Sequence, residues 1–174
     1  MKIVLGVTSS ISAYKACDLV RMYMKAGHDV FVVMSDNATR LVTPLTFETL
    51  SQNPVYTATF AEEHRRMGHI ALKQNASLFV IAPATANIIG KIAHGIADDL
   101  ISTTFLSMQC PVAVAPAMNP TMWKNPAVVG NIAVLERRGI TVVPPSSGVV
   151  ACGDAGTGKL ADVETIFNET LKLL

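Results

Sequence analysis

Apolar positions along the chain fall into two alternating rhythms, short branched runs and longer stretches at helical spacing. Lys2 to Val7 is the first short run and predicts a strand. Ser9 and Ser10 follow as cap candidates, and Ile11, Tyr14, Leu19, Val20 and Tyr23 then recur at helical spacing until Gly27 ends the helix. Asp29 to Met34 predicts a second strand, and Ser35 opens a short helical stretch. Thr43-Pro44 supplies a cap and a first-turn proline for a helix running to about Leu50. Pro54 to Gly68 has weak periodicity, which predicts a surface excursion leading into a helix near His69.

Ser77 to Ala82 is apolar on both alternating faces, the pattern of a central parallel strand covered by helices on both sides. Pro111 to Ala115 and Thr141 to Val143 repeat it. Between them Asn125-Pro126 caps a helix whose Val128, Val129, Ile132 and Leu135 should face inward, and Gly139 stops it. Pro144 to Lys159 is rich in Gly, Ser and Pro and predicts a long loop before a terminal helix from about Asp162. The alternation over residues 1–174 predicts one α/β domain, a doubly wound parallel sheet in three layers. Ligands of such sheets bind beyond the carboxyl ends of the strands, so functional residues should follow Val7, Met34, Ala82 and Ala115.

Composition narrows the class. Lys+Arg 14 against Asp+Glu 13 gives 14 − 13 = +1, too balanced for a nucleic-acid or anionic-membrane partner. Only 16% of residues are charged, where soluble domains carry about 25%, so subunit interfaces should cover much of the surface. No apolar run approaches the roughly 18 residues of a membrane span. Cys17, Cys110 and Cys152 lack CxxC spacing, which supports neither a disulfide framework nor a metal site and fits a reducing cytoplasm.

After Val7, the hydroxyls of Thr8, Ser9, Ser10 and Ser12 enter a helix start, a setting that suits a phosphate. Gly-x-Gly-x-x-Gly is absent, which favours a mononucleotide over a dinucleotide. The serines alone serve equally well as helix caps. Ser35, at the next strand end, points to a shared anion site, and Asp36 could reach a ribose hydroxyl or cap the short helix. Gly153 to Lys159 matches G-x-x-x-x-G-K, but Leu160 stands where a P-loop needs its magnesium-binding hydroxyl, and no buried strand precedes the glycines.

Three segments carry more information: Pro83-Ala84-Thr85-Ala86-Asn87, Pro116-Ala117-Met118-Asn119-Pro120-Thr121-Met122-Trp123 and Ala151-Cys152-Gly153-Asp154. With Gly68-His69-Ile70 they resemble the homo-oligomeric flavin-containing cysteine decarboxylases, from Lys2 to the terminal helix. The resemblance implies a Rossmann-like flavoprotein that binds FMN and assembles as a homotrimer or a dodecamer of trimers. It further implies that Thr85, Ala86 and Asn87 contact the flavin, that Ser9, Ser10 and Ile11 hold its phosphate, and that Ala117 lies against its ring. Serines replace the glycine-containing turn usual in that family, which puts the turn's geometry in question.

By the same resemblance Asn119, with Met118, Ala151 and Cys152, receives the substrate; His69 is the catalytic histidine; and Cys152 is the acid used in re-reduction. On the residues alone, Asn119 before Pro120 reads as a turn and His69 as structural, while Cys152 among glycines favours a reactive thiol. His28, His64, His94, Cys17 and Cys110 keep structural readings. The Ala-Cys-Gly-Asp segment favours the coenzyme A branch, whose small-molecule substrate is 4′-phosphopantothenoylcysteine. The peptidyl-cysteine decarboxylases of lantibiotic maturation stop at the enethiol, and a flavin-binding regulatory paralogue would need none of the acid-base residues. Lys73 and Lys159 are candidates for the substrate phosphate.

Overall fold

The computed structural model describes residues 1–58, 68–149, 151 and 153–174. Five parallel strands form the centre: β1 (Lys2–Val7), β2 (Asp29–Met34), β3 (Ala76–Ala84), β4 (Val112–Pro116) and β5 (Thr141–Val142), in the order β2-β1-β3-β4-β5. The interiors of β1 to β4 are largely Val, Ile, Leu and Ala, joined by Gly6, Phe31 and Phe79, and most of these residues have almost no exposure because helices cover both faces. Successive residues of β1 serve opposite layers. Ile3, Leu5 and Val7 pack with Leu19, Val20 and Tyr23 of α1 (Lys15–Lys25), Phe47 of α2 (Pro44–Ser51) and Ile166 of α8 (Val163–Leu171). Val4 packs into the other layer, with Leu72 of α3 (Gly68–Lys73), Ile88, Ile89 and Ile92 of α4 (Ala86–His94), Ile101 of α5 (Leu100–Ser107) and Leu135 of α7 (Pro126–Arg137). The result is a three-layer, doubly wound α/β sheet.

Local chemistry sets most boundaries as the sequence predicts. Pro44 and Pro126 each occupy the first turn of their helix, and Asn125 Oδ1 accepts from Ala127 N at 2.9 Å. Tyr23 Oη pairs with Thr170 Oγ1 at 2.5 Å, joining α1 to α8 across the outer layer. Lys2 Nζ donates to Ala71 O at 2.7 Å and Gln74 O at 3.0 Å, fastening the end of α3 to the start of β1.

Three expectations change. Pro144 to Lys159 is not an irregular loop: Ser146–Val149 (β6) and Ala155–Lys159 (β7) pair antiparallel, with Gly148 opposite Gly156. Glycine-rich strands lack the branched side chains that signal β structure, and here the glycines permit close backbone approach instead. The G-x-x-x-x-G-K match therefore lies in a strand rather than a phosphate loop. Val129 is 54% exposed, because Val128 takes the inward position of α7. The central strand extends beyond Ala82 to Ala84, through a register irregularity between Ile81 and Ala84. Of the excursion from Pro54, Tyr56 bridges Val33 in parallel, while residues 59–67, including His64, lie outside the described residues, as does Cys152.

Candidate active site

The strand order reverses direction around β1, and in open α/β sheets such a switch point opens a crevice at the carboxyl edge. Thr8, 2% exposed, closes its floor: Oγ1 donates to Pro83 O at 2.7 Å and accepts from Thr85 N at 3.0 Å. Ser35 N donates to Val7 O at 3.0 Å, so the ends of β1, β2 and β3 are tied together. Between them lies a cavity of about 160 Å³ lined by Thr8, Ser9, Ser35, Asp36, Asn37, Thr85, Asn87, Ile88, Lys91 and Asp99. Ser35 Oγ is buried with no hydrogen-bond partner among the described residues. A hydroxyl left so costs about 1–3 kcal/mol, and a ligand oxygen would remove the deficit. Thr85 caps α4 by accepting from Ile88 N at 3.5 Å, and the start of this nine-residue helix favours negative charge. Free hydroxyl, helix start and small volume together suit a phosphomonoester. Neither Ser9 nor Ser10 takes a positive φ, and Ser10 sits at φ −93°, ψ 149°, so this turn forms without glycine.

A second cavity of about 480 Å³ opens beside it, lined by Ser10, Ile11, Ser12, Tyr14, Lys15, Ala117, Met118, Asn119, Val149, Ala151, Gly158, Lys159 and Leu160. Asn119 precedes α6 (Pro120–Trp123), and its Oδ1 accepts from Met122 N at 2.8 Å. That bond fixes which way the amide faces and leaves the Nδ2 donors unengaged among the described residues. The β6/β7 ribbon forms the opposite wall. Met118 N donates to Gly158 O at 2.9 Å, and a Cβ on Gly158 would stand 2.5 Å from Met118 O. On Gly156 a Cβ would stand 2.9 Å from Pro120 Cβ, so both glycines are required for the ribbon to lie this close.

Charge concentrates on one side of the small cavity. Lys91 Nζ lies 2.6 Å from Asp98 Oδ1 and 2.7 Å from Asp99 Oδ2. Burial works against the charge of Lys91, but these two carboxylates outweigh it and hold its pKa above the ordinary lysine value. Burial likewise opposes the charge of Asp99, yet Lys91 and Ser102 hold its carboxyl below the ordinary range. Burial pushes the Cys17 and Cys110 thiols up, which suits their structural reading. Among the described residues no group of three His, Cys, Asp or Glu could hold a metal.

The structure thus brings Ser9, Ser35, Thr85 and Asn87 round the small cavity, and Ser10, Ile11, Ala117, Met118, Asn119 and Ala151 round the large one. Ala86 lines neither, although it begins α4 between Thr85 and Asn87. His69 lines neither cavity: it follows Gly68, which packs on Tyr56 and Leu100 in the helical layer opposite α1, and its Nδ1 is buried without a hydrogen-bond partner among the described residues. Of the two phosphate candidates, Lys159 lines the large cavity and Lys73 lines neither. Thr8, Lys15, Lys91 and Asp99 also line the cavities. Only Thr8 carried a sequence signal, as a hydroxyl directly after a buried strand.

A family model described as Flavoprotein matches residues 1–174. The chain belongs to the Flavoprotein family. This family member is 47% identical over 165 residues to the coenzyme A biosynthesis bifunctional protein CoaBC of Mycolicibacterium smegmatis, covering 95% of the chain but 40% of that relative. The chain therefore spans about two fifths of the length of such bifunctional relatives. It is 43% identical over 171 residues to a probable phosphopantothenoylcysteine decarboxylase of Streptococcus mutans, covering 97% and 96% of the two chains. Among solved structures, a cysteine-to-serine mutant of PPC decarboxylase complexed with pantothenoylaminoethenethiol superposes with TM-score 0.88 at 29% identity, covering 98% of this chain and 96% of that one. The FMN-dependent cysteine decarboxylase SpaF gives 0.85 at 32%, covering 99% and 95%.

Proposed function

We propose that this Flavoprotein member binds FMN and decarboxylates 4′-phosphopantothenoylcysteine to 4′-phosphopantetheine in coenzyme A biosynthesis. The observation that carries the reading is Asn119, whose amide is locked by its own helix cap with both Nδ2 donors turned loose at a cavity next to a phosphate-sized one. Relatives named for this activity and neighbours named as FMN-dependent cysteine decarboxylases support it. The unpartnered Ser35 hydroxyl, Ser9 and the start of α4 suit the phosphate of FMN, with Thr85, Ala86 and Asn87 beside it and Ala117 towards the ring.

Carbon dioxide cannot leave a cysteine carboxylate readily, because the electrons left behind have no sink. FMN, held by the residues round the small cavity, would supply one as a reversible two-electron acceptor, so that the reaction has no net redox change. Asn119 holds the carboxylate by neutral donors, fixing its orientation without stabilising its charge as strongly as a cation would. Met118 and Ala151 shape the pocket round it. His69 assists proton removal, and Cys152 returns a proton in the final reduction. His69 lines neither of these two cavities in a single chain, and the reading has a further copy of the chain bring it to the site. The reading has the enzyme act in the cytoplasm as a homotrimer or a dodecamer of trimers. The 16% charged content and the exposed Ile11, Tyr14 and Val149 at the rim of the large cavity support such assembly.

Product analysis by mass spectrometry tests the reading. The yellow wild-type protein should release carbon dioxide from phosphopantothenoylcysteine and form phosphopantetheine. A Cys152→Ser variant should decarboxylate but accumulate the enethiol. Colourless protein that does not take up FMN, or full phosphopantetheine yield from the variant, would overturn the cofactor or the Cys152 assignment respectively. Turnover of a peptide with a carboxy-terminal cysteine, with none of phosphopantothenoylcysteine, would favour the peptidyl branch.

A further inference from the structure

The small cavity presents a charge conflict. Its hydroxyls and helix start suit a phosphomonoester, yet Asp36 and Asp99 line it and Asp98 stands next to Asp99. A phosphate dianion would meet repulsion from these carboxylates at short range, where water screens least. Lys91 is the single cation among the described lining residues. It stands one turn beyond Asn87 on α4, its side chain is 18% exposed, and it holds both Asp98 and Asp99 within 2.7 Å. Asp99 cannot turn away, since its Oδ1 accepts from Ser102 N at 2.8 Å in the cap of α5.

We infer that Lys91 is a specificity-determining residue for the phosphate group of the bound mononucleotide: by offsetting one of the two charges of Asp98 and Asp99 it lets a cavity walled by carboxylates accept an anion. The charge of the ligand separates this role from that of a strut between α4 and α5. A strut would matter equally for any ligand of the cavity, whereas a charge-neutralising lysine matters only where the ligand carries a charge. The inference rests on the FMN reading above.

The test titrates the full-length chain, freed of flavin, with FMN and separately with riboflavin, which has the same ring and ribityl chain but no phosphate; quenching of flavin fluorescence reports binding. Lys91→Met should weaken FMN binding by about tenfold or more and riboflavin binding by less than about twofold. Lys91→Arg should hold FMN within about threefold of wild type, and adding Asp99→Asn to Lys91→Met should recover most of the loss. Should Lys91→Met lose its far-ultraviolet circular dichroism, Lys91→Gln, which is neutral but can still hydrogen-bond Asp99, makes the same comparison. Equal weakening of both flavins, or of neither, overturns the inference while wild-type FMN binding leaves the functional reading standing. A wild-type chain that binds neither flavin overturns both.

Discussion

At the scale of single residues, Asn119 shows how one side chain serves fold and chemistry together. Its oxygen caps α6 while the residue lines the large cavity with its nitrogen unengaged among the described residues, so capping and substrate contact can be separated by substitution. Asp caps a helix about as well as Asn but offers only acceptors. Asn119→Asp should therefore keep the thermal midpoint within a few degrees while lowering kcat/KM by about 100-fold or more, as a misplaced and repelled carboxylate would; circular dichroism and product formation measure the two effects. The turn reading and the substrate-binding reading of Asn119 in the sequence do not compete, because the turn is what aims the amide. Ser35 drew notice as an anion-site candidate from its place after a buried strand, whereas the lack of a partner for its Oγ among the described residues became visible only when three strand ends were brought together. Lys91 and Asp99 gave no warning, since a lysine and an aspartate eight residues apart in sequence usually mark two solvated positions.

Among the elements, the regular ones were legible and the glycine ribbon was not. Strands β1 to β4 announce themselves by branched apolar runs, and α7 by Asn-Pro at its start and Gly139 beyond its end. The β6/β7 ribbon hides because its signal is the absence of side chains, and that absence is what lets it close over Met118 and Pro120. Gly158→Ala places a methyl 2.5 Å from Met118 O and should push the ribbon off the cavity. Turnover should fall by about tenfold or more with FMN affinity falling less, since no residue of the ribbon lines the small cavity while Ala117, placed towards the ring, lines the large one; steady-state kinetics and flavin titration check the pair. The α4/α5 strap makes a separate prediction. Asp99 has its carboxyl lowered in the fold, so the stability it contributes is present above its ordinary value of 3.8 and disappears as pH falls through the lower folded value. Asp99→Asn keeps a capping side chain but loses that charge. Urea midpoints should put it below wild type at pH 7, with the gap closing as pH falls below the ordinary Asp value and through the lower folded one.

For the whole molecule, the sheet explains why two cavities lie side by side. The switch point beside β1 collects the ends of β1, β2 and β3 round the small cavity, while the end of β4 and the ribbon enclose the large one. Both were anticipated by the rule that ligands sit beyond parallel strand ends. His69 was expected among them and is elsewhere, in the layer formed by α3, α4, α5 and α7, with its Nδ1 buried and without a hydrogen-bond partner among the described residues. The low charged content was legible from composition alone, and in the structure Ile11, Tyr14 and Val149 expose 65%, 59% and 68% of their surface at the mouth of the large cavity. An apolar rim around a pocket marks a surface that another molecule covers. If a second copy covers it and brings its own His69, a catalytic unit takes His69 from one chain and Asn119 from another. His69→Asn and Asn119→Asp homo-oligomers should each be inactive, and mixed oligomers formed by co-expression should regain activity. Random assortment of the two variants pairs an intact histidine donor with an intact asparagine donor at roughly a quarter of the interfaces of a cyclic assembly, which sets the expected recovery relative to wild type. Recovery near that level, lost when the variants are purified separately and mixed without subunit exchange, would establish the shared site; activity no greater than that of the separate variants would confine His69 and Asn119 to one chain or remove His69 from the chemistry.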